Sequence, residues 1–350
     1  MVSIHDFDAI ERLRRRHKLD RQPLRRMRTA FYKKHTDAAA ALAELPEGAR
    51  ADIAAEIEFH ALEPAGRYDS KRDGATKLVF RKPGGLLLES VILRMTSGRT
   101  ALCLSTQVGC AAKCGFCATG KMGIAANLSA AEILDQLVVA QQLLVAERRS
   151  VRNLVFMGMG EPFHNEAQLH AALAVLFDSR AFDVNPRRVM ISTVGIPDAM
   201  VRCARRWPDV RLALSLHSVR AEVRRRLMPI SGRYSLAVLR DAIEQVTKIQ
   251  RHEVMIEYLL LAEVNDTPQD ARALAEYLRG IAVHVNLIPY NPIAEAPHLA
   301  PSHPRRREAF SAALKAAGFP VTTRYSLGAD IAAACGQLVR TEHRPQASLR

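Results

Sequence analysis

Three cysteines stand as C-x3-C-x2-C in the segment VGCAAKCGFCATG: Cys110, Cys114 and Cys117. Three thiolates can hold three irons of a [4Fe–4S] cube and leave the fourth iron without a protein ligand. An open iron is a place where a small molecule can bind and be reduced. A structural zinc site wants a fourth Cys or His nearby, and no His lies between Cys103 and Asn127. Packing as small core hydrophobes suits one cysteine but not three amid Gly and Lys. The spacing points to a cluster.

A second group follows at residues 158–162, GMGEP. Its glycines let the backbone approach a ligand closely, and Glu161 can accept from an ammonium group. Gly-rich strand ends are common, so the segment is weak alone. Behind a three-cysteine loop it gains meaning, because an amino acid chelating the open iron would present its ammonium there.

The elements that must position these residues alternate along the chain. From about residue 101, short apolar β-rich runs (TALCLSTQ, RNLVFMG, RRVMIST, VRLALSLH, EVMIEYLLL and VHVNLIPY) are separated by helical stretches at 128–148, 166–177, 236–250 and 268–279. Strands buried on both faces and joined by helices argue a parallel sheet. Polar residues collect just past the expected strand ends: the cysteine loop, GMGEP, Ser192, His217 and Asn291. In a barrel that edge carries the active site, and six repeats fit a partial (β/α)6 barrel. Residues 76–100 read as a β-hairpin, with a PGG turn between TKLVFRK and LLLESVILRM. Residues 1–75 read as a helical, polar domain, its Ala-rich part broken in two by Pro46 and Gly48.

The chain has 350 residues and a formal net charge of +14, which suits a polyanionic partner. Much of the excess lies early, from Arg12 to Lys34. A solvated helix face is the plain alternative. Aromatic content is 5%, so binding by serial base stacking is not signalled. No apolar run approaches a membrane span, and the N-terminus has no apolar core like that of a signal peptide. Six cysteines are too few and too oddly spaced for a disulfide scaffold. With a cluster that needs reducing surroundings, the expected location is cytoplasmic.

Seven segments in order, TALCLSTQVGCAAKCGFCATG, LVFMGMGEP, ISTVG, LALSLHS, RLMPI, NLIPYNP and DIAAACGQL, span residues 76–340 with the hairpin. On these the chain resembles the radical S-adenosylmethionine adenine-carbon methyltransferases of ribosomal and transfer RNA, the RlmN/Cfr family. The resemblance implies an α/β fold, a partial (β/α)6 radical-SAM barrel at 101–330 with a small helical N-terminal accessory domain that binds RNA. Residues 331–350 would form a C-terminal segment carrying a methyl-accepting cysteine.

It also implies roles. Cys110, Cys114 and Cys117 would bind the [4Fe–4S] cluster. Gly160, Glu161, Ser192, Ser215, Leu216, His217 and Asn291 would contact S-adenosylmethionine, His217 mainly through its backbone. Cys335 would carry the methyl group, Cys103 would later form a transient disulfide with it, and Glu89 would take the ring proton. The implied partners are RNA and a cellular electron donor. Carbon 2 of adenine is electron-poor and a poor nucleophile, so direct attack on a sulfonium methyl is not credible; a methylated cysteine converted to a carbon radical answers that difficulty. Cys203 matches no motif and reads as packing. The Arg224–Arg226 and Arg305–Arg307 runs read equally as solvated faces or RNA contacts. Leu327 stands where many family members carry Arg, which leaves the choice of RNA open. Methylation at carbon 8, and a non-catalytic basic RNA-binding protein with a structural metal centre, are the competing readings.

Overall fold

The computed structural model describes residues 1–250 and 252–338; residues 339–350, the end of the expected C-terminal segment, lie outside the described residues. The chain starts with four helices, Phe7–Arg16, Arg21–Lys33, Ala38–Leu42 and Glu47–Glu56. The Ala-rich stretch divides where expected, with Pro46 at the N-cap of the fourth helix. Proline disfavours helical backbone in the residue before it, yet suits a helix start. Ile10, Leu13, Met27, Phe31, Tyr32 and Ile53 give this unit a core of its own. Arg12, Arg15, Arg16, Arg21, Arg25 and Arg26 face solvent.

The helical reading of residues up to 75 fails after Glu56. Glu63–Asp69 is the first strand, β1, of a ten-stranded sheet. It is a solvated edge strand with an irregularity between Pro64 and Gly66. Proline is tolerated in such an edge, and a polar edge shows no apolar alternation to read. The other strands are β2 (Ala75–Arg81), β3 (Leu87–Arg94), β4 (Thr100–Cys103), β5 (Asn153–Phe156), β6 (Val189–Thr193), β7 (Arg211–Ser215), β8 (Val254–Leu260), β9 (Val283–Pro289) and β10 (Val321–Thr323).

Strands follow one another in sequence order across the sheet. β1 to β4 pair antiparallel, and β4 to β10 pair parallel. The six expected strands are β4 to β9, and the short β10 adds a seventh parallel strand. Helices Ala130–Val145, Glu166–Phe177, Pro197–Arg206, Leu236–Ile249, Pro268–Leu278 and Pro304–Ala316 lie between them in the chain. Their apolar faces share one core with the strands. Capping boxes start two of them, Ser129 with Glu132 and Thr267 with Asp270, satisfying backbone N–H groups that a helix leaves open. This is the α/β architecture expected from the sequence, with strands and helices alternating from β4 to β10.

Past β10 the chain returns to the opposite end of the sheet. The Asp330 carboxylate accepts from Ser70 Oγ at 2.8 Å and the Lys71 amide at 3.0 Å, and the Gly328 amide donates to Asp73 Oδ2 at 2.8 Å. These bonds strap the C-terminal segment to the β1–β2 turn. Among the described residues no helix is long and apolar enough to cross a membrane.

Candidate active site

A short ribbon of Gln107–Gly109 against Ile124–Asn127 brackets the cysteine loop just after β4. Gly109 has φ +81°, and a Cβ there would meet Gly123 O at 1.8 Å, so only glycine closes this ribbon. The loop is seated by two backbone bonds of 2.8 Å, from the Gly115 amide to Leu227 O and from the Ala118 amide to Gly336 O. Cys110, Cys114 and Cys117 all line a cleft of about 660 Å³. Burial pushes the Cys110 thiol up to about 12. Cys114 is held well above its ordinary value by burial and then by the charges of Cys117 and Cys110.

These thiols suit a cluster. Among the described residues no three His, Cys, Asp or Glu side chains gather closely enough for a single metal ion. A cubane asks for less convergence, since each thiolate meets its own iron. Buried thiols that share one cleft and raise one another's proton affinity gain most when iron replaces those protons.

The wall beside the loop is built from strand ends. Gly160 has φ +102°, and a Cβ there would lie 2.5 Å from the Gln107 Cβ. Glu161 is buried, and its carboxylate accepts from the Phe163 amide at 3.1 Å, Thr193 Oγ1 at 2.7 Å and the Val194 amide at 2.8 Å. Burial outweighs these bonds and raises the carboxyl to about 7. Ser192 at the end of β6 and Ser215 at the end of β7 both face Glu257 Oε2, at 2.6 and 3.4 Å.

His217 has a left-handed φ of 58° and a buried ring on the cleft wall. Its Nδ1 accepts from the Leu259 amide at 3.0 Å and its carbonyl accepts from Asn265 Nδ2 at 2.6 Å. Burial lowers the imidazole to about 3, so it stays neutral. Leu216 turns into the main core and is absent from the cleft wall. Its backbone amide is bonded to Glu257 O at 3.0 Å, and its carbonyl accepts from Arg224 Nε at 3.1 Å.

Cys103, at the end of β4, and Cys335, in the C-terminal segment, line the same cleft as Cys110, Cys114 and Cys117. Cys103 is raised to about 12 by burial and by Cys335; Cys335 is exposed as a residue, and loss of solvation at its thiol where it lines the cleft raises it to about 11. All six cysteines are free thiols, so the disulfide implied by the resemblance is not formed in this structure. Asn291 stands off the cleft wall and donates from Nδ2 to Cys335 O and Ser326 Oγ, each at 3.1 Å. Glu89 is likewise absent from the wall. It is fully buried on β3, two residues from the Val91 that pairs with Cys103, and its Oε1 lies 3.2 Å from Lys77 Nζ.

Glu257, Thr193, Met157 and Arg324 are among the cleft residues to which the sequence reading gave no role. Glu257 offered one signal, a lone carboxylate inside the apolar strand VMIEYLL. Arg224 falls outside both readings of its run. It is buried, bonds Val194 O at 2.7 Å as well as Leu216 O, and thereby ties the ends of β6 and β7 together. Arg225 and Arg226 are exposed. Arg306 faces Asp266 at 3.3 Å, and Arg307 donates to Ser302 O at 2.6 Å. Cys203 packs in the main core.

Residues 104–278 match the radical SAM superfamily profile. Over 346 residues the chain is 50% identical to a probable RNA methyltransferase of Rhodopirellula baltica, covering 99% of this chain and 90% of that protein. It is 41% identical over 305 residues to a probable dual-specificity RNA methyltransferase RlmN of Thermus thermophilus, covering 87% and 85%. Among solved structures, a radical SAM methyltransferase from Sphaerobacter thermophilus superposes with a TM-score of 0.92 at 35% identity, over 97% of this chain and 99% of that one.

Proposed function

The chain belongs to the RlmN-type RNA methyltransferases of the radical SAM superfamily, and we propose that it methylates carbon 2 of an adenosine in ribosomal or transfer RNA through a methyl group carried on Cys335. The observation that carries this reading is the meeting of two further thiols, Cys103 and Cys335, with the three-cysteine loop in one cleft. A binding module has no use for that pair.

Cys110, Cys114 and Cys117 would hold the [4Fe–4S] cluster and leave one iron for S-adenosylmethionine. When bound, the cluster supplies the electron, drawn from a cellular donor, that cleaves this cofactor to an adenosyl radical. Gly160 lets the chain pack against Gln107 at the cleft wall, and Glu161, held by its three donors, would present a carboxylate to the cofactor's ammonium. Glu257 orients the Ser192 and Ser215 hydroxyls on the facing wall. Cys335 would take a methyl group from the sulfonium of one S-adenosylmethionine, which leaves as the thioether, and would then give up a hydrogen atom from it to the adenosyl group of a second, so that the carbon adds to the adenine ring. Glu89 would accept the ring proton, reached from the cleft past Val91, and the unpaired electron left on the adduct would have to pass to an acceptor, a role the oxidised cluster would supply. Attack by Cys103 on the Cys335 sulfur releases the methylated RNA and leaves a disulfide between the two cysteines.

Trapping the covalent stage tests this reading. Under anaerobic turnover Cys103→Ala accumulates a protein–RNA adduct, whereas Cys335→Ala forms none. Equal behaviour of the two variants contradicts the assignment. Nucleoside mass spectrometry of wild-type product gives 2-methyladenosine; the 8-methyl isomer would overturn the proposed ring position.

A further inference from the structure

Arg324 follows β10, and its half-buried side chain lines the cleft together with Cys103 and Cys335. Its amide donates to Leu287 O at 2.9 Å, which fixes its backbone against β9. From that edge the guanidinium crosses to Met157, just past β5, with Nη1 3.2 Å from the thioether sulfur. Four strands lie between β5 and β10 in the sheet, so this contact spans the barrel mouth. A thioether is a weak acceptor. It orients the guanidinium without neutralising it, and among the described residues Arg324 makes no ion pair. An arginine held this way inside a cleft is matched to an anion.

Met157 also supplies the backbone N–H that meets the Cys103 thiol. One residue thus holds both the cation and the sulfur. We propose that Arg324 is a positioning residue that stabilises the Cys103 thiolate for its attack on the Cys335 sulfur. The inference rests on the reading of Cys103 as the releasing thiol. In that step the Cys103–Cys335 S–S bond forms and the bond from Cys335 Sγ to the transferred carbon breaks. The electron pair of the broken bond passes to that carbon, which takes up one proton and becomes the methyl group. No further oxidant enters.

The charges around Cys103 define the need. Burial, Cys335 and Glu257 all raise its thiol, while Arg324 and the Met157 amide lower it. Glu89 and Lys77 face each other on the neighbouring strands, and Arg72, Asp73, Arg94 and Glu161 complete the charged part of the cleft wall. Arg94 is engaged by Glu147 at 2.6 Å, and Asp73 by the Gly328 amide. Arg324 is the cation that acts on both thiols.

The test is the rate at which iodoacetamide alkylates Cys103 in the anaerobically reconstituted protein, followed by peptide mass spectrometry from about pH 8 to 9.5. Arg324→Gln should alkylate about tenfold more slowly, the effect of about one unit in thiol pKa, while Arg324→Lys stays near wild type. Buried Cys203 reports on folding. If Arg324→Gln exposes it, Arg324→Met, which keeps the apolar stem, carries the comparison. Unchanged alkylation overturns the proposal, as does a lysine variant no faster than glutamine. Weakened RNA binding with unchanged alkylation would make Arg324 a phosphate contact instead. If Cys103→Ala accumulates no RNA adduct, the releasing role of Cys103 falls, whereas the alkylation rates of the Arg324 variants still judge what Arg324 does to its thiol.

Discussion

Cys114 illustrates how much depends on single side chains here. It shares the cleft with two partner thiols, and a cubane held by three thiolates loses one of its three anchors without it. Replacing it with alanine should abolish the iron–sulfur absorbance after reconstitution and all RNA methylation, with folding retained; turnover in Cys114→Ala would contradict the cluster assignment. The cysteines and the GMGEP segment were legible because their spacing is local and their chemistry narrow. Glu257 and Arg324 were not, since each stands alone in its segment and gains meaning only from what the barrel brings opposite it. Leu216 and Asn291 show the converse. Their motifs were readable, but sequence cannot tell a side chain that touches a ligand from one that holds the backbone beside it.

At the scale of elements, β4 to β9 were readable from apolar runs because both faces of a parallel sheet are buried. β1 was hidden by its polarity, and the three-residue β10 by its length. The N-terminal helices carry a pH-sensitive joint. His5 is buried with Nδ1 2.9 Å from the Tyr32 hydroxyl, and burial, then the charge of His60, lowers it to about 3. Unfolded, it binds a proton near 6.5. The unfolded chain therefore holds more protons between these values, so stability from this site is complete above about 6.5 and is lost as pH falls toward 3. Melting curves at pH 7 and 5 should show a larger drop for wild type than for His5→Gln. Equal drops would mean that His5 protonates freely in the folded state.

Across the whole molecule, two cores meet on one helix. Val138 of Ala130–Val145 packs with the N-terminal core. Asp135 on the same helix accepts from His60 at 2.7 Å and from the Leu62 amide at 2.8 Å. This docking gives the basic helices a defined place on the barrel. Their charge was plain in the sequence, but which arginines are spoken for was not: Arg14 and Arg15 face Glu11, and Arg16 faces Glu56, whereas Arg12, Arg21 and Arg25 stay exposed without such partners among the described residues. If the latter three grip phosphate, replacing them together with glutamine should weaken RNA binding and flatten its log–log salt dependence by about one unit for each phosphate no longer neutralised. An unchanged slope would assign them to solvent.

The proposed reaction turns on Cys335 as the carrier of the methyl group. The direct measurement is peptide mass spectrometry of the anaerobically reconstituted protein after incubation with deuteromethyl-labelled S-adenosylmethionine. A labelled methyl on the Cys335 peptide is the predicted result. A Cys335 free of label and of any earlier methyl would contradict the two-stage mechanism.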